Sequence, residues 1–139
     1  MNNSLTEDQI KVLNMSQSVI NEVKKVIIGK DEIIIKVLLS ILAGGHILIE
    51  DIPGVGKTTL AVALSKALSL DYKRLQFTPD VLPTDVTGFT ILNKETHKFE
   101  YKQGAALTNL FLADEINRTS SKTQSALLEV CLLYTSDAA

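Results

Sequence analysis

The sequence predicts an α/β fold in which helices flank a parallel sheet, and three observations support this prediction. Short aliphatic runs such as "HILIE" (46–50) and "NLFLAD" (109–114) are typical of buried parallel strands. Segments with apolar residues at helical spacing alternate with these runs, which favours a parallel sheet. The glycine-containing segment "DIPGVGK" (51–57) joins the first of these strands to the helix "TTLAVALSKAL". The order of strand, glycine loop and helix indicates the fold class.

The first part of the chain predicts two helices. Apolar residues recur at the spacing of one helical face from Leu5 to Ile27, and Thr6, with acidic residues after it, is a suitable N-terminal cap. A second helix is expected to start from an Asp31 cap, to run through "EIIIKVLLSILA" and to stop at Gly44 and Gly45. The density of apolar residues in this helix predicts deep burial.

The second half of the chain predicts strands, a loop and a closing helix. "YKRLQF" (72–77) is a strand candidate, and the loop "TPDVLPTDVTG" is expected to be irregular because Pro79 and Pro83 disfavour regular structure. "FTILN" and "KFEYK" predict a hairpin around "KETH", and "NLFLAD" predicts another strand. "SSKTQSALLEV" (120–130) is typical of a helix that opens from a Ser or Thr cap.

Composition and charge restrict the class of protein. A chain of 139 residues, 45% of them hydrophobic, can form one domain with its own core, and the single cysteine, Cys131, excludes an internal disulfide bond. The net charge of −2 arises from interspersed charges and gives no basic stripe, so we expect no nucleic-acid partner. No secretory signal or membrane-length apolar run is present, which indicates a soluble, cytoplasmic protein without a membrane span.

A phosphate-binding loop is predicted after the first strand. Gly54, Gly56, Lys57 and Thr58 have the types and order in which small residues let backbone N–H groups surround anionic oxygens. Lys57 is expected to contact the β and γ phosphates of a nucleotide, and the Thr58 hydroxyl to bind Mg²⁺. The positive end of the helix dipole favours the same phosphates. The predicted nucleotide-binding set is Pro53, Gly54, Val55, Gly56, Lys57, Thr58 and Thr59.

Alternatives remain for parts of this loop. The general phosphate-loop pattern has glycine where this chain has Asp51, although aspartate tolerates a left-handed backbone better than most residues do. Thr59 is either a member of the binding set or an ordinary residue of the first helical turn. For the whole segment, the alternative is a glycine turn that joins a strand to a helix and binds no ligand.

Two consecutive acids, Asp114 and Glu115, follow the aliphatic run "LFLA". Because ligands of parallel sheets bind outside the carboxyl ends of strands, this strand can bring both acids to the phosphate loop. Asp114 is expected to hold Mg²⁺, directly or through water, and Glu115 to orient and deprotonate the water that attacks the γ phosphate. Without the loop, the same pair would indicate only a solvated helix start.

Other candidate residues have weaker support. His46 and His97 lack companions at metal-ligand spacing, and the sequence contains no credible Ser-His-Asp or Cys-His set. Arg118 has two interpretations, as an exposed arginine at a helix start or as a residue that acts at the nucleotide of a neighbouring subunit.

Five stretches together closely resemble the MoxR family of AAA+ ATPases, over residues 26 to 130: "VIIGKDEII", "GGHILIEDIPGVGKTTLA", "RLQFTPDVLPTDVTG", "FEYKQGAALTNLFLADEINR" and "KTQSALLEV". The most specific pieces are "QFTPDVLPTDVTG" and "LADEINR". The resemblance implies binding and hydrolysis of ATP with Mg²⁺ and a homo-oligomeric, usually hexameric, ring. It also implies a chaperone-like role in maturing metalloenzymes or other complexes, with a client protein and a von Willebrand factor A domain partner.

At the level of residues, the resemblance implies an adenine pocket near Ile28 and Gly29. It also implies a Walker A loop at residues 54–58 and a Walker B pair at Asp114 and Glu115. "GAALTN" (104–109) departs from the usual run of the family, so the conformation of that loop is open. A magnesium-chelatase-like subunit and a noncatalytic nucleotide-binding module are the alternative functions.

The final residues, "CLLYTSDAA" (131–139), fall outside the resemblance and are similar to the translation of a transposase adapter used in sequencing libraries. We therefore expect residues 1–130 to be a partial AAA+ domain with N-terminal helices, and 131–139 to be a non-native tail. A natural divergent tail is the alternative. In the family, the sensor 1 strand, the arginine finger, sensor 2 and the helical lid follow this point. The parent protein is thus expected to hydrolyse ATP, and this chain to do so very slowly or not at all.

Overall fold

The computed structural model describes residues 5–50 and 56–136, with side chains as far as Leu132. Two compact units divide the chain, Met1–Leu70 and Asp71–Ala139. The described part of the first unit is helical, and the second unit combines strands with helices. The predicted α/β class with a parallel strand pair is confirmed. Within the described ranges, no helix has the length and apolar character needed to cross a membrane.

The described residues of the first unit form α1 (Glu7–Lys24), α2 (Asp31–Leu42) and α3 (Lys57–Ala67). α1 begins at a capping box. The Gln9 N–H donates to Thr6 Oγ1 over 3.3 Å, and the Thr6 N–H donates to Gln9 Oε1 over 2.9 Å. These two bonds satisfy backbone donors that the helix itself leaves without partners, and they confirm the predicted Thr6 cap.

The ends of α2 follow the prediction to within one residue. Lys30 is the N-cap and Asp31 is the first helical residue, where its carboxylate is stabilised by the positive end of the helix dipole. Gly44 has a φ of 64°, in the left-handed region that glycine adopts without strain. The Gly45 N–H donates to the Ser40 carbonyl over 2.8 Å and satisfies an acceptor of the last turn. The expected stop at the two glycines is confirmed.

One stripe of each helix contributes to the core of the first unit. Its buried side chains are Val23, Ile27, Ile34, Val37, Leu60 and Leu64. On the other side of α2, Leu39 is 60% exposed and Leu42 is 55% exposed. The deep burial predicted for α2 therefore holds for one face only.

The strand predicted at "HILIE" is wrong, because residues 46–50 have no regular secondary structure. Ile49 packs against the core of the first unit, whereas Leu48 is 69% exposed. A parallel strand is defined by backbone hydrogen bonds to a neighbour, and no described strand pairs with this segment. Aliphatic composition alone was therefore not sufficient to specify a strand here.

The second unit contains one parallel and one antiparallel strand pair: β1 (Tyr72–Gln76) with β4 (Leu110–Asp114), and β2 (Gly88–Leu92) with β3 (Phe99–Gln103). The parallel register places Tyr72 opposite Leu110 and Gln76 opposite Asp114. The strands predicted from "YKRLQF" and "NLFLAD" and the predicted hairpin are confirmed. β4 ends at Asp114, so this strand positions the first of the two predicted acids.

A short helix, α4 (Pro83–Thr87), lies within the loop that was predicted to be irregular, so that prediction is wrong for these residues. Pro83 is the first helical residue, a position where its missing N–H is not needed and its fixed φ suits the helix. The Leu82 N–H donates to Asp85 Oδ2 over 2.8 Å, which further stabilises this helix start. Pro79 lies in a turn before α4, as its ring favours.

The core of the second unit is centred on Phe77, Val86 and Ala106. The closing helix, α5 (Ser121–Ser136), contains the predicted 120–130 segment almost completely and extends beyond it. Thr123 is fully buried, and its hydroxyl donates to the Val81 carbonyl over 2.9 Å, so α5 is joined to the segment before α4. Of the expected non-native tail, residues 137–139 lie outside the described residues.

The loop that starts at Gly104 has a defined conformation because it runs along α4. The Ala105 N–H donates to the Asp85 carbonyl over 2.8 Å, and the Ala106 N–H donates to the Val86 carbonyl over 3.1 Å. A Cβ atom on Gly104 would collide with backbone atoms of Val86 and Gly88. Only glycine fits at this approach of two backbone segments.

We expect Gly104→Ala to lower the free energy of unfolding by about 1–3 kcal/mol, because the added methyl group forces two backbone segments apart. Urea unfolding followed by far-UV circular dichroism measures the change. Gly45→Ala is the matched control, since a Cβ there meets its nearest neighbour, the Ser40 carbonyl oxygen, at an ordinary 3.5 Å. Equal stability of Gly104→Ala and the wild type would contradict this account of the loop.

Tyr72 provides a second test, because its buried hydroxyl has no hydrogen-bond partner among the described residues. We expect Tyr72→Phe to raise the free energy of unfolding by about 1 kcal/mol, since it removes a desolvated polar group that gains no bond. Tyr101→Phe is the matched control and should be destabilising, because the Tyr101 hydroxyl donates to the Thr87 carbonyl. Thermal melts of the three proteins at neutral pH would distinguish these outcomes.

The same tyrosine predicts a pH dependence. Burial is the main cause that raises the pKa of Tyr72 above its ordinary value of 10.0. A raised pKa means that the folded protein binds the hydroxyl proton more tightly than the unfolded chain does, so the free energy of unfolding falls as the pH rises from the unfolded pKa through the folded pKa. The wild type should therefore lose more stability above pH 10 than Tyr72→Phe does, and parallel losses in alkaline melts would contradict this expectation.

Candidate functional site

The start of α3 has the backbone geometry expected of a phosphate-binding loop. Gly56 is its N-cap with φ 84° and ψ 19°, a left-handed conformation that side chains other than glycine's rarely adopt. Lys57 is the first helical residue, and the Leu60 N–H donates to the Gly56 carbonyl over 2.8 Å. The glycine therefore reverses the chain immediately before the first turn of α3, whose N–H groups have no acceptor within the helix.

The charge at this helix start differs from that of the other long helices of the first unit. α1 and α2 each have two acidic residues in their first turn, whereas α3 has none and begins with Lys57. Acidic residues at a helix start are stabilised by its positive end, and the first turn of α3 has no acidic residue of its own. Thr58 is partly buried and Thr59 is exposed in the same turn. Pro53, Gly54 and Val55 lie outside the described residues.

A shallow depression lies beside the start of α3, within the first unit. Its lining residues are Ile27, Lys30, Ile33, Ile49, Gly56, Lys57 and Leu60. It combines an apolar wall with the cationic side chain of Lys57, a combination that suits a ligand with an apolar ring and an anionic group. Of the predicted adenine-pocket residues, Gly29 has a φ of 75° and Ile28 is 86% exposed. Neither lines the depression, although their neighbours Ile27 and Lys30 do.

Asp114 is held at both its main chain and its side chain. Its carbonyl accepts a hydrogen bond from the Phe77 N–H over 2.8 Å, and Phe77 is completely buried. Its carboxylate oxygen Oδ2 accepts from Arg74 Nη2 over 2.7 Å and from Arg74 Nε over 3.2 Å. The hydrogen bond to Asp114 is the main cause that raises the pKa of Arg74. The position of this carboxylate therefore depends on both strands of the parallel pair.

Glu115 has an unusual backbone conformation for its residue type. Its φ of 57° and ψ of 41° lie in the left-handed region, which costs a residue other than glycine about 1–2 kcal/mol. This residue caps a 3-10 turn, Ile116–Arg118, and its Oε2 atom lies 3.2 Å from Arg118 Nε. Strained backbone of this kind concentrates at functional sites, so the conformation supports a role for Glu115.

Each of the two consecutive acids thus has its own arginine. Sequence reasoning assigned no role to Arg74 and left Arg118 open between a helix-start residue and a role at another subunit. In the structure, Arg118 pairs with Glu115 of its own chain. The position of Arg74 in the strand "YKRLQ" was a possible signal. Alternate side chains of a strand lie on one face of the sheet, so Arg74 could share a face with Asp114 of a neighbouring strand. This signal could not be used before the register of β1 and β4 was known.

The predicted site residues are divided between the two units of the chain. Lys57 and Thr58 belong to the first unit, and Asp114 and Glu115 belong to the second. The described residues contain no group of three or more His, Cys, Asp or Glu side chains that could hold a metal ion. A Mg²⁺ ion of a nucleotide site needs fewer protein ligands, because phosphate and water oxygens complete its coordination. Thr58 and Asp114 offer hard oxygen atoms of the required chemistry.

Comparison with known proteins supports a nucleotide site. The sequence profile of the ATPase family associated with various cellular activities (AAA) matches residues 46–133, which is more than half of the chain. The uncharacterized protein YeaC of Bacillus subtilis is 56% identical over 110 residues, covering 79% of this chain and 34% of YeaC. The chaperone MoxR1 of Mycobacterium tuberculosis is 42% identical over 109 residues, covering 78% of this chain and 29% of MoxR1. The chain spans about a third of the length of these relatives.

A solved structure leads to the same family. The crystal structure of a protein from Cytophaga hutchinsonii that was assigned as an ATPase matches with a TM-score of 0.77 and 44% sequence identity. The match covers 89% of this chain and 38% of the other. The family profile, the relatives and the solved structure all indicate an AAA ATPase, and the glycine turn before Lys57 agrees with this assignment. The chain belongs to the AAA family of ATPases, as a MoxR-type member.

Proposed function

We propose that this chain binds ATP together with Mg²⁺ at the start of α3, and that the longer protein to which it corresponds hydrolyses the nucleotide. The observation that carries the proposal is the left-handed Gly56 followed at once by Lys57 at the start of a helix that has no acidic residue in its first turn. Backbone N–H groups, the helix dipole and a lysine then act on one anionic ligand. Membership of the AAA family supports ATP as that ligand.

Each proposed ligand contact follows from the chemistry of the side chain. Lys57 contacts the β and γ phosphates, and residues 53–59 surround them, with Ile28 and Gly29 near the adenine. The Thr58 hydroxyl and the Asp114 carboxylate hold Mg²⁺, Asp114 directly or through water. When bound, Mg²⁺ neutralises charge on the phosphate oxygens and so assists phosphoryl transfer. The half-buried Asp114 side chain, 20% exposed, is better shielded from water than a surface carboxylate would be.

Glu115 is the proposed catalytic base. Its carboxylate accepts a proton from the water that attacks the γ phosphate and orients that water. Asp114 pairs with Arg74 and Glu115 with Arg118, so each acid has its own partner and can take a different task. The contact with Arg118, whose side chain is 59% exposed, is weakened by solvent, so the carboxylate keeps the mobility to meet a water molecule. The backbone strain at Glu115 lowers the stability of the fold, and such strain is found where the backbone of a functional residue must be held in one position.

The role of the longer protein is a further part of the proposal. A homo-oligomeric, hexameric ring, a client protein and a von Willebrand factor A domain partner would fit a chaperone-like remodelling or metalloenzyme-maturation role in the cytoplasm. The name of the relative MoxR1, a chaperone, supports this direction. We place the partial AAA+ domain at residues 1–130 and the non-native tail at 131–139. Without a neighbouring subunit's arginine, which contributes about 10³- to 10⁵-fold in related enzymes, this chain alone should turn over ATP very slowly.

Substitution of Lys57 tests the nucleotide site. We expect Lys57→Ala to weaken binding of a fluorescent ATP analogue with Mg²⁺ by up to about 1,000-fold, because a cation near 4 Å from a phosphate contributes up to about 4 kcal/mol at an effective dielectric constant of 20. Lys66→Ala, in the last turn of the same helix, is the matched control and should leave the affinity unchanged. Equal affinities of Lys57→Ala and the wild type would refute the assignment of the loop.

Substitution of Glu115 separates binding from hydrolysis, and it is best made in the longer parent protein. We expect Glu115→Gln to retain ATP binding and to reduce turnover by about 10²- to 10⁴-fold, because the amide cannot accept the proton of the attacking water. Phosphate release and equilibrium binding of ATP are the two measurements. Glu129→Gln, an exposed position on α5, serves as the control. Unchanged turnover in Glu115→Gln would instead favour a noncatalytic nucleotide-binding module.

A further inference from the structure

We propose that Arg74 is a positioning residue for Asp114, which it holds by a single carboxylate oxygen so that the aspartate is presented to the Mg²⁺ of the bound nucleotide. The inference rests on the proposed function, because it assumes that Asp114 contributes to metal binding. It adds a residue on a different strand to that site. It also explains why the cationic Arg74 contacts Asp114, although Asp114 is the proposed ligand of another cation, Mg²⁺.

The register of the parallel pair brings Arg74 to Asp114. Gln76 lies opposite Asp114, and Arg74 lies two residues earlier on the same strand. Since side chains two residues apart in a strand project from the same face, Arg74 and Asp114 share one face of the β1–β4 pair. Arg74 reaches diagonally towards the end of β4, a distance that a long side chain can span. A slip of one residue in the register would move one partner to the opposite face.

The contact orients the carboxylate through one oxygen only. Arg74 Nε and Nη2 both donate to Oδ2, over 3.2 and 2.7 Å, so neither of these bonds uses Oδ1. In the usual fork arrangement, an arginine occupies both oxygens of a carboxylate. Two donors from one rigid planar group that converge on Oδ2 hold this oxygen in place. The aspartate therefore retains an oxygen that this arginine does not use.

Arg74 acts on Asp114 and not on the adjacent acid. Glu115 has a left-handed backbone, and its carboxylate pairs with Arg118. Asp114 is also fixed at its main chain by the bond from the Phe77 N–H, in the residue next to Gln76. Because Phe77 is completely buried, the backbone at the end of β4 has little freedom. The rotation of the Asp114 side chain is then the freedom that remains, and Arg74 restricts it.

The partial burial of Asp114 makes this restriction effective. The Asp114 side chain is 20% exposed, whereas that of Arg74 is 39% exposed, so the carboxylate is the better shielded partner. Ion pairs on an open surface are weakened by solvent and rarely hold a side chain in one place. Hydrogen-bond partners of a metal-binding side chain commonly change metal affinity by about 10- to 100-fold when they are replaced. A positioning role for Arg74 should therefore be measurable.

The test compares nucleotide affinity with and without metal in the full 139-residue chain. A fluorescent ATP analogue is titrated in Mg²⁺ and again in EDTA, and the ratio of the two affinities measures the contribution of the metal. We expect Arg74→Ala to lower this ratio by about 10- to 100-fold and to leave the affinity in EDTA unchanged. Arg74→Lys, which keeps the charge but lacks two converging donors, should restore part of the ratio. Lys73→Ala, on the adjacent residue of β1, should behave as the wild type.

Asp114→Asn distinguishes the possible failures. If it lowers the ratio and Arg74→Ala does not, or if Arg74→Ala raises the ratio because the arginine competes with the metal, the inference is overturned and the proposed function stands. If the wild type shows no metal effect, or Asp114→Asn retains it, the proposed metal site fails and the inference fails with it. Circular dichroism establishes folding first. Should Arg74→Ala be unfolded, an unchanged ratio in Arg74→Lys overturns the inference and a lowered ratio supports it.

Discussion

The candidate acids of the second unit depend on the parallel pairing of β1 with β4, because that register brings Arg74 to Asp114 and fixes the end of β4. The pairing begins where the Leu110 N–H donates to the Asp71 carbonyl over 3.0 Å, and it ends where the Phe77 N–H donates to the Asp114 carbonyl over 2.8 Å. The last bond joins the buried centre of the unit to the acid at the strand end. The hydrogen bond from Phe77 to Asp114 thus contributes to stability through the buried phenylalanine and to the proposed function by holding the backbone of the aspartate.

Two residues with a left-handed backbone, one in each unit, are among the proposed site residues. At Gly56 the conformation costs little, because glycine has no Cβ, and it allows a helix to begin with its N–H groups available to an anion. At Glu115 the same region of backbone space is unfavourable, so the surrounding contacts must compensate for it. The strained residue is the proposed base, and the unstrained one lies in the proposed binding loop. This difference is consistent with the greater positional demand of a catalytic group.

Local patterns predicted much of the fold because the determining interactions are local. The Thr6 cap, the glycine stop of α2 and the hairpin each depend on residues within a few positions of one another, and all three were confirmed. "HILIE" failed because a strand requires a partner that aliphatic residues cannot supply by themselves. The helix at Pro83 was missed because proline was treated only as a breaker, whereas the first position of a helix accommodates it.

The family could be identified from the sequence through specific stretches such as "QFTPDVLPTDVTG" and "LADEINR". The loop residues and the acids were candidates because glycine, lysine, threonine and carboxylate have few alternative uses at such spacing. The partners of those acids could not be identified in this way. Arg74 lies 40 positions before Asp114, and they meet only through the register of two strands that are distant in sequence. The left-handed backbone of Glu115 is likewise absent from any local propensity of glutamate. Sequence thus determined which chemical groups are present, and tertiary structure decided which of them contact one another, because strand pairing is a long-range interaction.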